Sequence, residues 1–206
     1  PHAEAAALTG LAPDVLARAT LYVTLEPCAH HSTRGPACAN LIAEAKPQRV
    51  VIGQIDPDPR TAGQGMARLE AAGIAVTLLE DPAAAVSLAG FLTRQTLGRP
   101  WVTLKLATSL DGCIALADGT SQWITGDAAR AHVHAQRAQH DAILVGGGTW
   151  RADQPQLDVR LPGLEARSPQ RVVLTRSEAP APDVTALPAP EAIAGLEGVQ
   201  YLYVEG

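Results

Sequence analysis

The feature that most constrains this chain is an alternation of short apolar runs with alanine-rich stretches through its first 80 residues. Residues 21–25 (LYVTL), 49–55 (RVVIGQI) and 74–79 (IAVTLL) have the length and β-branched content of strands. Helices are expected over 3–8, 38–45 and 65–72, with Gly73 placed to close the last in a left-handed cap. Strands separated by helices join in parallel and carry the helices on the sheet, so the chain is predicted to be α/β. Asp56-Pro57-Asp58-Pro59 is a loop, because each proline lacks an amide hydrogen and biases its predecessor away from helix.

A boundary falls between Pro82 and Pro100, where an alanine-rich helix gives way to Gly98-Arg99-Pro100. Beyond it a strand is expected over 101–107, a helix over 127–137 capped by Thr125 or Asp127, and a strand over 142–145. Gly146-Gly147-Gly148 and a short helix follow. Residues 178–199, rich in Ala, Pro and Glu, carry little pattern and are expected to form a loosely packed connection. The chain opens on Pro1 and closes just past a strand-like run, so both ends are expected to be cut and the piece alone to have weak or no activity.

With 47% hydrophobic residues among 206, the chain can bury one large or two small cores. Twenty-one acidic and 16 basic residues give a net charge of −5 without runs of one sign, which argues against nucleic-acid and membrane-surface partners and favours a small-molecule substrate. No apolar run approaches the roughly 20 residues that span a bilayer, and no basic-then-apolar leader opens the chain, so a cytoplasmic protein is expected. Three cysteines make no disulfide framework, and Cys28 and Cys38 stand close enough in sequence to invite a metal.

His2-Ala3-Glu4 begins a predicted helix, and Thr24-Leu25-Glu26-Pro27-Cys28 ends a predicted strand ten residues before Cys38. Zinc accepts imidazole nitrogen and thiolate sulfur, and a catalytic site needs three protein ligands plus an open position. His2, Cys28 and Cys38 supply such a set, and Cys28 gains further thiolate character if it opens a helix after Pro27. Glu4, two residues from His2, projects in another direction along the helix and is free to shuttle protons. The pattern matches the H-x-E…P-C signature of zinc deaminases. Two plainer readings stand beside it: a closed structural site with His30 or His31 as fourth ligand, and an unmetallated set of side chains.

His2-Ala3-Glu4 with LYVTLEPCAHHSTRGPAC resembles the deaminase half of the bacterial bifunctional deaminase/reductases of riboflavin biosynthesis, in which a His-rich loop separates the cysteines. IGQIDPDPRTAGQGMARLEAAGI is similar to that family's continuation, and WVTLKLATSLDG, SQWITG, DAILVGGGTWRADQPQLDVR and YLYVEG are similar to its reductase half. The resemblance implies a cytidine-deaminase-like three-layer domain lacking its N-terminal elements over 1–90, then a partial dihydrofolate-reductase-like domain over 98–206. It implies zinc-dependent hydrolytic deamination of 2,5-diamino-6-(5-phosphoribosylamino)pyrimidin-4(3H)-one, followed by NADPH-dependent reduction of the ribosyl group of 5-amino-6-(5-phosphoribosylamino)uracil. It also implies a homodimer formed through the reductase domain.

By motif position the family's NADPH contacts fall on Thr108, Trp123, Thr149 and Asp153, and its substrate contacts on Ser121, Arg137, Leu157, Arg160 and Glu205. On residue chemistry alone, Arg137 and Arg160 suit a phosphate or a solvated surface, Trp123 a ring-stacking or a core position, and Lys105 a cleft or an ordinary surface. The Gly146–Gly148 turn would let backbone amides approach a phosphate or ribose, and it is equally common as plain structure. Cys113, His132 and His134 are assigned no chemistry. The sequence departs from the family at loop 29–37, one residue longer with Ser-Thr-Arg-Gly-Pro in it, at Gln154 in place of Asp, and at Thr175-Arg176 in place of Asp-Ser. Two other functions remain open: a nucleoside- or tRNA-type zinc deaminase, and a non-catalytic zinc-binding scaffold.

Overall fold

The computed structural model describes residues 2–31, 35–121 and 123–206, which divide into two compact units, Pro1–Thr96 and Leu97–Gly206. The substituted stretch at 32–34 lies outside the described residues, and with it the expectation for that part of the loop.

The first unit is built on a parallel sheet of β1 (Thr20–Leu25), β2 (Arg49–Gln54) and β3 (Ala75–Leu78), in that spatial order. Its helices are α1 (Ala3–Leu8), α2 (Pro13–Leu16), α3 (Cys38–Ala45), α4 (Gln64–Ala71), α5 (Pro82–Ser87) and α6 (Ala89–Leu97). The short α2 carries Pro13 in its first turn, where a missing amide hydrogen costs nothing. Central strand β2 is buried through Val50–Gly53, and Ile42 of α3, Leu69 of α4 and Ile74 close on Val50 and Ile52 as the core. Helix α5 comes so near the sheet that a Cβ on Gly53 would stand 2.7 Å from both the Ala84 methyl and the Thr24 carbonyl oxygen. Gly73 follows α4 at φ +79°, a conformation that side chains resist.

The second unit holds a parallel sheet in the order β4 (Trp101–Lys105), β8 (Tyr201–Glu205), β5 (Ala142–Gly146), β6 (Gln170–Leu174), β7 (Val184–Leu187). Helices α7 (Asp127–Arg137) and α8 (Gly147–Asp153) precede and follow β5. Two apolar clusters form its core, one with Leu144, Val172 and Leu202, the other with Ile143, Val173 and Tyr203. No helix among the described residues is long and apolar enough to cross a membrane.

Three expectations need correction here. Residues 178–199 are not a loose connection: they hold β7 and a 3-10 helix, Pro190–Gly195, and they bury Val184, Leu187, Leu196 and Val199. Prolines blur the pattern there but suit an edge strand, which leaves one row of amides unpaired. Neither Thr125 nor Asp127 caps α7, whose N-cap is Gly126 without a side-chain bond. The Asp127 carboxylate is engaged by Arg130, which also donates to the Thr125 carbonyl. The strand expected over 101–107 stops at Lys105.

Candidate active site and metal centre

In both units the chemistry-bearing residues gather at the carboxyl ends of parallel strands, where an open α/β sheet leaves room for ligands. In the first unit, β1 runs out into Glu26-Pro27-Cys28 and β2 into the Asp56–Arg60 loop. His2 is the N-cap of α1 and Glu4 lies in its first turn. Cys38 opens α3 and is 1% exposed.

These elements bring one imidazole and two sulfurs together. His2 Nδ1 lies 3.1 Å from Cys38 Sγ and 3.5 Å from Cys28 Sγ, and one donor atom from each of the three side chains falls within 4.8 Å of the others. Donors that hold zinc at about 2.0–2.3 Å in a tetrahedron stand roughly 3.3–3.8 Å apart, so the set fits that ion in both chemistry and spacing. No fourth His, Cys, Asp or Glu joins the group among the described residues. His30 is turned to Thr61, its Nδ1 3.2 Å from the hydroxyl. A closed site completed by His30 is therefore not what the fold presents.

Cys28 does not open a helix. It sits in an extended turn, and its sulfur instead accepts the Cys38 amide hydrogen (3.3 Å) at the start of α3. A helix N-terminus therefore does meet the Cys28 sulfur, but it is that of α3, ten residues downstream. The Cys38 thiol donates to Glu4 Oε2 at 3.4 Å. Burial, then the Glu4 carboxylate and the Cys28 sulfur, push the Cys38 thiol up in pKa. A bound dication reverses that preference by stabilising the thiolate.

The donor group opens on a cleft of about 650 Å³ whose walls include Glu4, His30, Asp56, Asp58 and Arg60. Burial raises the pKa of the Asp56 carboxyl, whereas hydrogen bonds from Arg60 hold Asp58 down to about 2. Glu26, Asp56, Asp58 and Thr61 were given no chemistry from the sequence, and His30 only as a possible fourth ligand. The available signal was position, since polar residues just beyond strand ends in an α/β unit face the ligand side.

Gly65, in the first turn of α4, packs directly on the Cys28 turn: a Cβ there would stand 2.2 Å from the Pro27 carbonyl oxygen and 3.0 Å from Glu26 Oε1. Backbone meets backbone, so little can give. Gly65→Ala is expected to cost about 1–3 kcal/mol or more in urea unfolding of this unit; an unchanged midpoint would show that the turn yields freely.

In the second unit a cavity of about 500 Å³ is lined by Lys105, Ser121, Thr149, Asp153, Leu157 and Glu205, among others. Lys105 and Glu205 are register partners at the ends of β4 and β8. Leu157 is 2% exposed and takes φ +56°, a strained conformation for a leucine, held by the apolar cluster around Ile143 and Tyr203. Thr108, Trp123 and Arg160 are exposed and lie outside that lining. Trp123 is not a core residue: it is 72% exposed, with the Arg130 guanidinium 4.7 Å from its ring centre.

Arg137 is neither solvated nor free. Its Nε and one terminal nitrogen donate to the two Glu205 oxygens at 2.8 Å, another nitrogen donates to the Asp158 carbonyl at 2.9 Å, and both side chains are 11% exposed. The fork that would grip a phosphate is filled by Glu205. Arg160 remains open to solvent, with Asp158 at 3.4 Å, and its amide donates to His134 Nδ1 at 3.2 Å, a tie that the sequence did not disclose.

Comparison with known proteins agrees with this two-part geometry. Residues 1–54 match the cytidine and deoxycytidylate deaminase zinc-binding region, and residues 100–197 match the RibD C-terminal domain. The class is thus a zinc-deaminase domain followed by a reductase-type domain. Over 170 residues the chain is 46% identical to the riboflavin biosynthesis protein RibD of Escherichia coli K12, covering 82% of this chain and 46% of that protein. It is 45% identical over 183 residues to RibD of Mycobacterium tuberculosis H37Rv, 87% of this chain and 53% of that one. The structure of Acinetobacter baumannii RibD superposes with a TM-score of 0.85 at 34% identity, covering 100% of this chain and 67% of that one. A Thermotoga maritima diaminohydroxyphosphoribosylaminopyrimidine deaminase/5-amino-6-(5-phosphoribosylamino)uracil reductase gives 0.84 at the same identity and coverage. The chain belongs to the RibD family of riboflavin biosynthesis proteins. It spans about half the length of the curated relatives it matches.

Proposed function

We propose that the chain carries the paired activities of this family: hydrolytic removal of an amino group from 2,5-diamino-6-(5-phosphoribosylamino)pyrimidin-4(3H)-one, then reduction of the ribosyl group of the resulting uracil with NADPH. The observation that carries the first step is the Glu4 carboxylate, 3.4 Å from Cys38 Sγ, beside a three-residue donor set at one cleft. Zinc held by His2, Cys28 and Cys38 supplies the Lewis acidity that makes water nucleophilic near neutral pH. Glu4 moves the protons: its carboxylate takes one from the attacking water and passes it to the ring nitrogen, then takes the remaining hydroxyl proton as the carbonyl forms and gives it to the departing amine, so water enters and ammonia leaves. His30, Asp56 and Asp58 line the cleft with polar groups suited to a diaminopyrimidinone edge.

For the second step, Thr149 and Asp153 are assigned to NADPH, as are Thr108 and Trp123 by family position. Ser121, Leu157, Arg160 and Glu205 are assigned to the substrate. Arg137 acts there by holding Glu205, and Arg160, open to solvent, is left to meet the phosphate. Dimerisation is assigned to the second unit, where edge strand β4 leaves Trp101, Val102 and Leu104 exposed. A cytoplasmic location suits three cysteines that form no disulfide.

Ammonia release from the pyrimidinone by zinc-loaded protein, lost on chelation, is the direct test. Turnover of a nucleoside or tRNA instead would favour the other deaminase class, and zinc binding without any turnover would favour a scaffold. Failure of NADPH to quench tryptophan fluorescence would remove the second activity.

A further inference from the structure

The turn that carries Cys28 is held by a side chain outside the donor group. Glu26 is 2% exposed, and its hydrogen-bond partners are backbone amides. Oε1 accepts the Met66 amide at 3.1 Å, and Oε2 accepts those of Gly63 at 3.0 Å and Asp56 at 3.3 Å. Gly63 and Met66 belong to the N-terminal end of α4, whose first amides lack partners within the helix and whose dipole favours a negative charge. A buried carboxylate is tolerable when donors meet it on both oxygens, as they do here.

On the other side of Cys28, the Ala29 amide donates to Thr61 Oγ1 at 3.3 Å, and the same hydroxyl lies 3.2 Å from His30 Nδ1. Thr61 is fully buried. Between these two ties, Gly65 leaves no room beneath the Pro27 carbonyl. Residues 26–30 are therefore fastened before and after Cys28 to a single segment, 56–66. That segment also brings Asp56, Asp58 and Arg60 to the cleft.

We propose that Glu26 is a positioning residue: its carboxylate, bracketing the 56–66 segment, sets where the Cys28 sulfur stands and where the Asp56–Arg60 wall of the cleft stands. One side chain thereby couples metal affinity to substrate binding. The proposal rests on the reading of His2, Cys28 and Cys38 as a zinc site. The carboxylate is required because Gln offers one acceptor and turns an NH₂ toward amide hydrogens, breaking either the Met66 tie or the ties to Gly63 and Asp56.

The test compares wild type, Glu26→Gln and Thr61→Val by zinc competition against a chromophoric chelator, and by the thiolate-to-metal band of the cobalt(II)-substituted protein. Groups that orient metal ligands typically change affinity by about 10- to 100-fold, and Glu26→Gln is expected to weaken zinc by that order, to alter the cobalt band and to raise KM. Thr61→Val, which cuts the bracket on the other side of Cys28, is expected to weaken zinc, while Thr61→Ser retains it. A Glu26→Gln protein that melts earlier yet keeps wild-type zinc affinity and an unchanged cobalt spectrum overturns the proposal. So does a Thr61→Val protein with wild-type affinity should Glu26→Gln not fold. Wild-type protein that binds no zinc overturns the underlying site assignment, and the bracket with it.

Discussion

Replacing Glu4 with Gln is expected to lower ammonia release by roughly 10²- to 10⁴-fold while zinc stays at its wild-type level. The amide keeps the shape of the side chain but cannot accept and return protons. Because Glu4 meets the Cys38 thiol but is not one of the three donor side chains, the metal should survive the change. Measured zinc content and ammonia release on one preparation decide the matter. Turnover within a few-fold of wild type removes Glu4 from the mechanism, and loss of zinc along with activity shows a structural carboxylate instead. Glu4→Asp, which keeps the charge but draws it back, should recover little.

Arg137→Ala is expected to cost the second unit about 3–5 kcal/mol, since it leaves the Glu205 carboxylate nine-tenths buried with its bidentate partner gone. The double variant Arg137→Met/Glu205→Leu should recover most of that stability, because an apolar pair of similar size asks for no desolvated charge. Reduction should nevertheless stay lost, as the cavity then has no carboxylate at the end of β8. Urea unfolding of wild type, both single variants and the double variant gives the coupling energy. A coupling near zero means that the pair is a solvated contact and that Arg137 is free to bind phosphate itself.

These two cases also mark how far the residues could be interpreted from their order alone. His2, Glu4, Cys28 and Cys38 stood out because imidazole, carboxylate and thiol at a strand end and helix starts make a rare combination whatever the fold. The strands around Val50 and Leu144 stood out because they are buried on both faces and need no register information. The Arg137–Glu205 pair did not, because it joins a helix to a strand 68 residues away and nothing local distinguishes such an arginine from a solvated one. The condition that Cys28 open a helix after Pro27 is not met, because the helix whose amide reaches its sulfur begins at Cys38. Strand β7 was hidden by its flanking prolines, which are harmless at a sheet edge. Glu26 was hidden within an otherwise informative motif, since a glutamate beside a Pro-Cys gives no hint that its partners are amides 30 to 40 residues on.

Strand β8 lies between β4 and β5, although it follows β5, β6 and β7 along the chain. Among the described strands β4 pairs only with β8, so until β8 is made β4 has no partner in this sheet. Closing so long a stretch of chain before any pairing reward slows assembly and exposes an apolar ribbon to other nascent chains. Pulse-labelled amides of 101–105 should gain protection only together with those of 201–205; earlier protection of β4 would mean that another surface shelters it during synthesis.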